Sequence, residues 1–271
     1  MQTIYVNHDK CNLCKLCIKI CHDYCISVND ENRITINLAL CDCCTQCMAI
    51  CPKLAIGLIG GEIKPIDHSL LPKPEQLEEL FKARRSIRDY QVKKIERDLL
   101  EKIVGMGRYA PTMDKTIGVI IVDDQKEIEY LERLTQRYWD RIHKLFFKNR
   151  VVMKLIKSFF RNAEIIKSKL ENRDKHLFEA PAIIILVGNT KNDYLSELSA
   201  QYYLYNMILY AYSVGVGAIL SDSGKIVFNS NRAIYKLLGI QKGYRILGVL
   251  LMGYPKLKFK NKIDGLNLGL S

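Results

Sequence analysis

The chain has 271 residues, 48% of them hydrophobic and 26% charged, and 41 Lys and Arg against 29 Asp and Glu give it a formal net charge of +12. This composition excludes a disordered chain, the lack of any apolar run of about 18 residues excludes a membrane-spanning helix, and no DNA- or RNA-binding motif accompanies the basic excess. At this length one core of ordinary size does not use up the chain, so two domains are expected.

Met1-Gln2-Thr3 leads directly into the strand-like Ile4-Tyr5-Val6 and leaves no room for a signal peptide, so a cytoplasmic location is expected. Residues 1–59 form the first expected domain and hold all ten cysteines. Cys11, Cys14, Cys17 and Cys21 make a C-x2-C-x2-C-x3-C run, and Cys41, Cys44, Cys47 and Cys51 repeat it, followed by Pro52. Zinc sites pair two C-x2-C knuckles rather than two four-cysteine runs, and a disulfide scaffold does not crowd its cysteines so locally. The two runs resemble the bacterial two-cluster ferredoxins, in which three closely spaced thiolates meet one cubane and the fourth reaches the other. The resemblance implies one 4Fe-4S cluster on Cys11, Cys14, Cys17 and Cys51, and a second on Cys41, Cys44, Cys47 and Cys21. His22 stands where the family often has Pro, and Cys25 and Cys43 are surplus, read as small apolar fillers or near-cluster thiols. Asn29-Asp30-Glu31-Asn32 is turn chemistry, and Ile34-Thr35-Ile36 alternates as a half-buried strand does.

Gly60-Gly61 opens an expected linker over residues 60–75, with Pro65, Pro72 and Pro74 and little periodicity. The second expected domain is 76–271. It begins on a helix, with Leu77, Leu80 and Phe81 at helical spacing and Lys82, Arg84 and Arg85 late, where the helix dipole favours cations. Arg84-Arg85-Ser86-Ile87-Arg88 reads either as a solvated helix end or as a phosphate cradle, since guanidinium offers planar bidentate donors.

Ile117 to Val122, Ala182 to Val187 and Ile246 to Met252 are continuous apolar runs of strand length, as for strands covered on both faces, with helical stretches between. The helical, basic insertion over 131–169 carries Tyr138, Trp139, Phe146, Phe147, Phe159 and Phe160. Its aromatics pack on their own domain, or it forms a lid or a membrane-touching surface, the lid being the better of those two. His143 on this helix is read as a surface or core residue. Between Glu197 and Tyr212 apolar residues occupy nearly every side of a helix, which implies burial within the chain or in a dimer.

Five stretches in order resemble the FMN-dependent nitroreductase superfamily over about residues 76–258. They are Arg84 to Tyr90, then Tyr109-Ala110-Pro111-Thr112, then Phe178-Glu179-Ala180-Pro181-Ala182, then Val214-Gly215-Val216-Gly217-Ala218, and lastly Leu238-Gly239-Ile240 through Gly243-Tyr244 to Gly253-Tyr254-Pro255. The resemblance implies a mixed α/β (α+β) sheet flanked by helices, a homodimer, and FMN at each dimer interface. It implies that Arg84, Arg85, Ser86 and Arg88 hold the flavin phosphate, ribityl chain and pyrimidine edge. Pro111 and Thr112 would approach from the partner subunit, and the backbone at Asp222 and Ser223 would lie by the flavin N5. A late lysine, Lys260 or Lys262, would reach the phosphate. Met113 to Gly118 departs from the family's continuation of the Ala-Pro-Thr loop, and Asp222 and Ser223 replace residues that are commonly glycine.

Together these readings describe an iron–sulfur flavoprotein oxidoreductase. Electrons from an acidic carrier such as ferredoxin or flavodoxin reach FMN through two 4Fe-4S clusters, and a small nitro compound, quinone or activated alkene is reduced. Bound cofactors would bring the charge to about +6. No catalytic acid or base is singled out, and neither nucleic acid nor membrane is expected as a partner. The other reading is a non-catalytic electron-transfer or interaction module with weak or absent flavin binding.

Overall fold

Six short elements build the cysteine-rich end of the chain twice over. Strand β1 (Ile4–Val6), helix α1 (Leu16–Ile20) and strand β2 (Ile26–Val28) recur thirty residues later as β3 (Ile34–Ile36), α2 (Gln46–Ile50) and β4 (Ile56–Leu58). β1 pairs antiparallel with β4, and β2 with β3, so each two-stranded sheet takes one strand from each half. The turn between β2 and β3 closes where Asn29 Oδ1 accepts from the Arg33 amide at 2.8 Å and Asn32 takes φ 57°, a conformation Asn tolerates. Ile4, Ile26, Ile34, Met48 and Ile56 pack in the centre against Cys17, Cys25 and Cys47.

This is a computed structural model, and it describes residues 4–111, 117–147, 175–189 and 193–264. The chain divides into two compact units, Met1–Pro72 and Lys73–Ser271. Among the described residues no helix is long and apolar enough to cross a membrane.

The second unit opens on α3 (Pro74–Ala83), with Pro74 at the first helical position, where a missing N–H costs nothing. It continues through α4 (Arg97–Gly107), β5 (Gly118–Val122), α5 (Gln125–Ile142), β6 (Ala182–Asn189) and α6 (Asp193–Ser213). β7 (Gly217–Leu220), α7 (Asp222–Ser230), α8 (Arg232–Leu237) and β8 (Tyr244–Gly253) complete it. The strands lie in the order β5-β6-β8-β7, and every neighbouring pair is antiparallel. The mixed character of the sheet comes from one parallel bridge, Ser86 to Ala218. A continuous apolar run reports that both faces of a strand are covered and says nothing about direction, which is why the runs pointed to layers correctly and could not give this topology.

Alternate residues of the central strands feed two cores. Ala182, Ile184, Leu186, Leu250 and Met252 meet α4 and α6 on one face, through Leu100, Ile103, Leu204 and Met207. Ile183, Ile185, Val249 and Leu251 meet α5, α7 and α8 on the other, through Leu131, Phe228 and Ile234. Each such side chain fully removed from water contributes on the order of 1.5–3 kcal/mol. Helix α6 is less enclosed than its pattern implied. Leu204, Met207 and Ala211 are wholly buried, but Tyr202 and Tyr205 on the other side are 43% and 45% exposed, because the sheet covers one face of the helix only.

Candidate functional site

In the first unit the loop before each short helix is forced into shape. Leu13 and Lys15 have φ of 55° and 60°, and Cys43 and Thr45, thirty residues on, have 55° and 65°. Four non-glycine residues in the left-handed region mark a strained loop, the kind that clusters at functional sites. These loops curl around two cavities. One, of about 340 Å³ counting the part open to solvent, is lined by Cys11, Cys14, Cys17 and Cys51 over the apolar floor of Val6, Ile34 and Ile56. The other, of about 290 Å³ on the same measure, is lined by Cys41, Cys44, Cys47 and Cys21, with Cys25. Each cavity thus draws three cysteines from one run and the fourth from the other.

Backbone amides already point at sulfur. The Ala55 amide donates to Cys51 Sγ and the Cys43 amide to Cys41 Sγ, both at 3.3 Å. Burial raises the Cys17 thiol and pushes Cys47 up to about 11, with Cys41 and Cys44 adding to the latter. Burial also acts on Cys21, but hydrogen bonds from the Cys25 backbone and thiol and the Asp23 backbone outweigh it and lower that thiol. None of the ten cysteines is in a disulfide. Among the described residues no three His, Cys, Asp or Glu converge tightly enough for a single metal ion. A cubane needs its thiolates spread around a cage of iron and sulfide, and two four-thiol pockets with apolar walls fit that donor set.

Cys25 is the residue that sequence reasoning undervalued. It is buried, and its Sγ lies 3.4 Å from Cys21 Sγ inside the second cavity. Burial, with Cys21 and Cys41 beside it, pushes its thiol up to about 12. The thirty-residue repeat sets Cys25 against Ala55, so the comparison of halves carried the signal.

In the second unit the chain leaves α3 at Arg84, whose ψ of 135° ends the helix, and runs extended between two strand ends. The Ile87 amide donates to Ala218 O of β7 at 3.2 Å, and the Gln91 amide to Tyr254 O, just beyond β8, at 2.9 Å. Tyr90, buried, donates its hydroxyl to Ile87 O at 2.8 Å, and burial raises its pKa. Because the Ser86–Ala218 bridge is parallel, Arg88 is carried toward the end of β7 from which α7 starts.

The arginines differ in what they do. Arg85 donates Nη1 to Lys82 O at 2.6 Å and to Arg84 O at 2.8 Å, so its charge closes the carboxyl end of α3. Arg84 is half-buried, and its Nε is shut from water with no hydrogen-bond partner among the described residues. Such a donor costs free energy unless something accepts from it, and an anion does so best. Ser86 is half-buried beside Ala218, and Arg88 is exposed. At the end of β7, Ser221 is buried and caps α7, its Oγ accepting from the Gly224 amide at 3.1 Å. Asp222 is exposed and Ser223 half-buried in the first turn, where helical amides lack partners within the helix.

Pro111 is exposed just after α4, and Thr112 lies outside the described residues, as do 113–116 and 148–174. Past β8 the tail returns along α3, where Lys262 is ion-paired with Glu79, and Asp264 with Lys82. Lys262 is therefore committed within the chain, while Lys260 is exposed. His143 opens a π-turn at the end of α5.

The nitroreductase family profile matches residues 81–254. The chain belongs to the nitroreductase family. A nitroreductase with bound FMN from Bacteroides fragilis NCTC 9343 is similar in fold, with TM-score 0.55 and 21% identity over 72% of this chain and 97% of that one. One from Desulfitobacterium hafniense DCB-2, also with bound FMN, gives TM-score 0.55 and 16% identity over 69% and 93%. An FMN-dependent nitroreductase from Clostridium difficile R20291 gives 0.53 and 18% over 72% and 98%. The sequence matches none of the curated proteins with which it was compared. The nitroreductase-family domain accounts for the sheet, the helices around it and the Arg84–Tyr90 crossing.

Proposed function

We propose that this nitroreductase-family protein is an iron–sulfur flavoprotein oxidoreductase that takes single electrons and reduces a small organic substrate at FMN. The observation that carries the reading is the crossed lining of two cavities, by Cys11, Cys14, Cys17 and Cys51 and by Cys41, Cys44, Cys47 and Cys21, in the same chain as a nitroreductase-family domain. Bound there, two 4Fe-4S clusters supply one-electron transfer and FMN supplies a two-electron store, which together suit nitro compounds, quinones and activated alkenes.

The protein's own residues do the holding. The amides of Ala55 and Cys43 donate to the sulfurs of Cys51 and Cys41 and so orient two of the proposed ligands. In the second domain the buried Arg84 Nε gains its missing acceptor in a flavin phosphate, helped by Ser86 and Arg88, while Arg85 keeps α3 closed behind them. Of Lys260 and Lys262, Lys260 is the one with no ion pair to a described residue. The first-turn amides at Asp222 and Ser223 are fixed donors suited to a ring nitrogen. Pro111 and Thr112 serve the partner's flavin in a homodimer, for which the exposed Leu77 and Phe81 of α3 and Tyr202 and Tyr205 of α6 offer apolar surface. An acidic carrier in the cytoplasm is the proposed donor.

The deciding experiment is a cofactor inventory of anaerobically purified protein. About eight irons, eight sulfides and one FMN per chain are expected. Eight irons with no flavin would leave an electron-transfer module, and one FMN without iron would leave an ordinary nitroreductase-family flavoprotein.

A further inference from the structure

The thirty-residue repeat supplies an internal control for surface charge. Both cavities present one exposed cysteine, Cys14 at the first and Cys44 at the second, so access alone does not distinguish them. Charge does. Along the first cysteine run lie Lys10, Lys15 and Lys19, with Asp9 as the acid next to it in sequence, and Lys15 lines the cavity itself. Their equivalents around the second are Leu40, Thr45 and Ala49. Asp23 follows Cys21 and lines the second cavity, and it accepts from the Asp42 amide at 3.3 Å, which draws a second carboxylate to that rim. The position equivalent to Asp23 in the other half is Lys53. All four lysines are exposed, and none is ion-paired with a described residue. A repeat that keeps its fold, its eight cysteines and its strained loops has thus made one rim cationic and the other anionic.

We infer that the rim around Cys14 is the docking surface of an acidic, low-potential redox protein, and that single electrons enter at the Cys11, Cys14, Cys17 and Cys51 site. The inference rests on the proposed iron–sulfur reading. One electron leaves the partner's reduced centre, which is oxidised by one, and the first site is reduced by one; no bond forms and no proton moves. Lys10, Lys15, Lys19 and Lys53 steer the encounter and hold the short-lived complex, while Asp23 and Asp42 repel the same partner from the second rim. Exposed charges act within about a Debye length, roughly 8–10 Å at ordinary ionic strength, so the two rims discriminate locally although the chain as a whole is basic.

The test compares two triple variants of the full, cluster-loaded chain that alter net charge equally. Lys10→Gln, Lys15→Gln and Lys19→Gln remove three positive charges at the first rim; Ala39→Glu, Leu40→Glu and Ala49→Glu add three negative charges at exposed positions along the second run. Reduced flavodoxin serves as the acidic probe, and bleaching of cluster absorbance is followed by stopped flow across a salt series. The first variant is expected to lower the second-order rate constant by about tenfold and to flatten its salt dependence, and the second to stay within about twofold of the parent. Iron content and full bleaching by excess dithionite check that both variants keep their clusters. Equal losses in the two variants, or a larger loss in the second, overturn the inference while leaving the iron–sulfur reading standing. A parent protein without iron removes both.

Discussion

Single side chains in this protein are separated by what they already touch. Arg84 and Arg85 are neighbours of one chemical type, yet Arg85 spends its guanidinium on the carbonyls of Lys82 and Arg84, whereas Arg84 buries an unused Nε. Arg84→Ala is expected to weaken FMN binding by about ten- to a hundredfold, the worth of a charge-assisted hydrogen bond, with little change in melting temperature. Arg85→Ala is expected to act the other way, lowering the melting temperature and leaving flavin affinity nearer the parent's. Flavin fluorescence titration and thermal melts on both variants check the pair, and identical behaviour of the two would remove the distinction. Cys25 is separated from the other surplus thiol in the same manner. In the proposed cluster-loaded state the Cys21 sulfur would carry no proton, so across the 3.4 Å contact Cys25 would be the donor. A hydrogen bond to a cluster sulfur favours the more negative reduced state and raises the potential. Cys25→Ala is therefore expected to lower the potential of one cluster, leave the other unmoved and keep the iron content, as read by a redox titration followed by electron paramagnetic resonance. Loss of four irons would make Cys25 a ligand instead.

At the scale of elements, the flavin-side geometry depends on one extended crossing, residues 85–91, and on how closely it lies against β7. A side chain at Gly217 would place its Cβ 2.5 Å from Ile87 Cγ1 and 2.8 Å from Ile87 Cβ, so glycine there is a condition of the contact. Gly217→Ala is expected to cost about 1–3 kcal/mol of stability by overpacking and to weaken FMN binding as Ser86 and Arg88 move with Ile87. Adding Ile87→Ala, which removes Cγ1 and Cγ2, should recover part of both, whereas an unshifted melt and affinity in the single variant would show that the crossing adapts. This crossing was legible in sequence only as a string of arginines. The strands β6 and β8 were plain because both faces are covered and their apolar runs are unbroken. The role of Arg85 was not, because a helix-closing arginine and a phosphate-binding one look alike until the carbonyls are in place. The crossed cysteine sets were expected from the ferredoxin resemblance rather than from spacing alone, and in the structure Cys21 and Cys51 each follow a five-residue helix and line the cavity of the other run. The exposure of Tyr202 and Tyr205 was hidden, since an apolar stripe does not say which molecule covers it.

The molecule as a whole joins two units of unequal self-sufficiency, and if the proposed clusters are bound, removing their iron should unfold one unit and spare the other. The first unit, Met1–Pro72, draws its core from Ile4, Ile26, Ile34, Met48 and Ile56 together with Cys17, Cys25 and Cys47, and among its described residues no helix exceeds five residues. Domains of this size seldom stand on a hydrophobic core alone, and a metal that binds only the folded form contributes its binding energy to folding. Against that stands the strain at Leu13, Lys15, Cys43 and Thr45, each costing on the order of 1–2 kcal/mol for a left-handed backbone. The second unit has a sheet with a buried core on both faces and owes nothing to cysteine, since all ten lie before Pro52. Oxidative removal of iron in the presence of a chelator is therefore expected to unfold the first unit and leave the second intact with its flavin. Limited proteolysis read by mass spectrometry should then cut within residues 4–72 while 73–111 and 193–264 stay protected, and the melt of the second unit should be unchanged. Continued protection of residues 4–72 in the iron-free protein would mean that the interlocked strand pairs β1–β4 and β2–β3 hold the unit without metal, and that the strained loops are carried by packing alone.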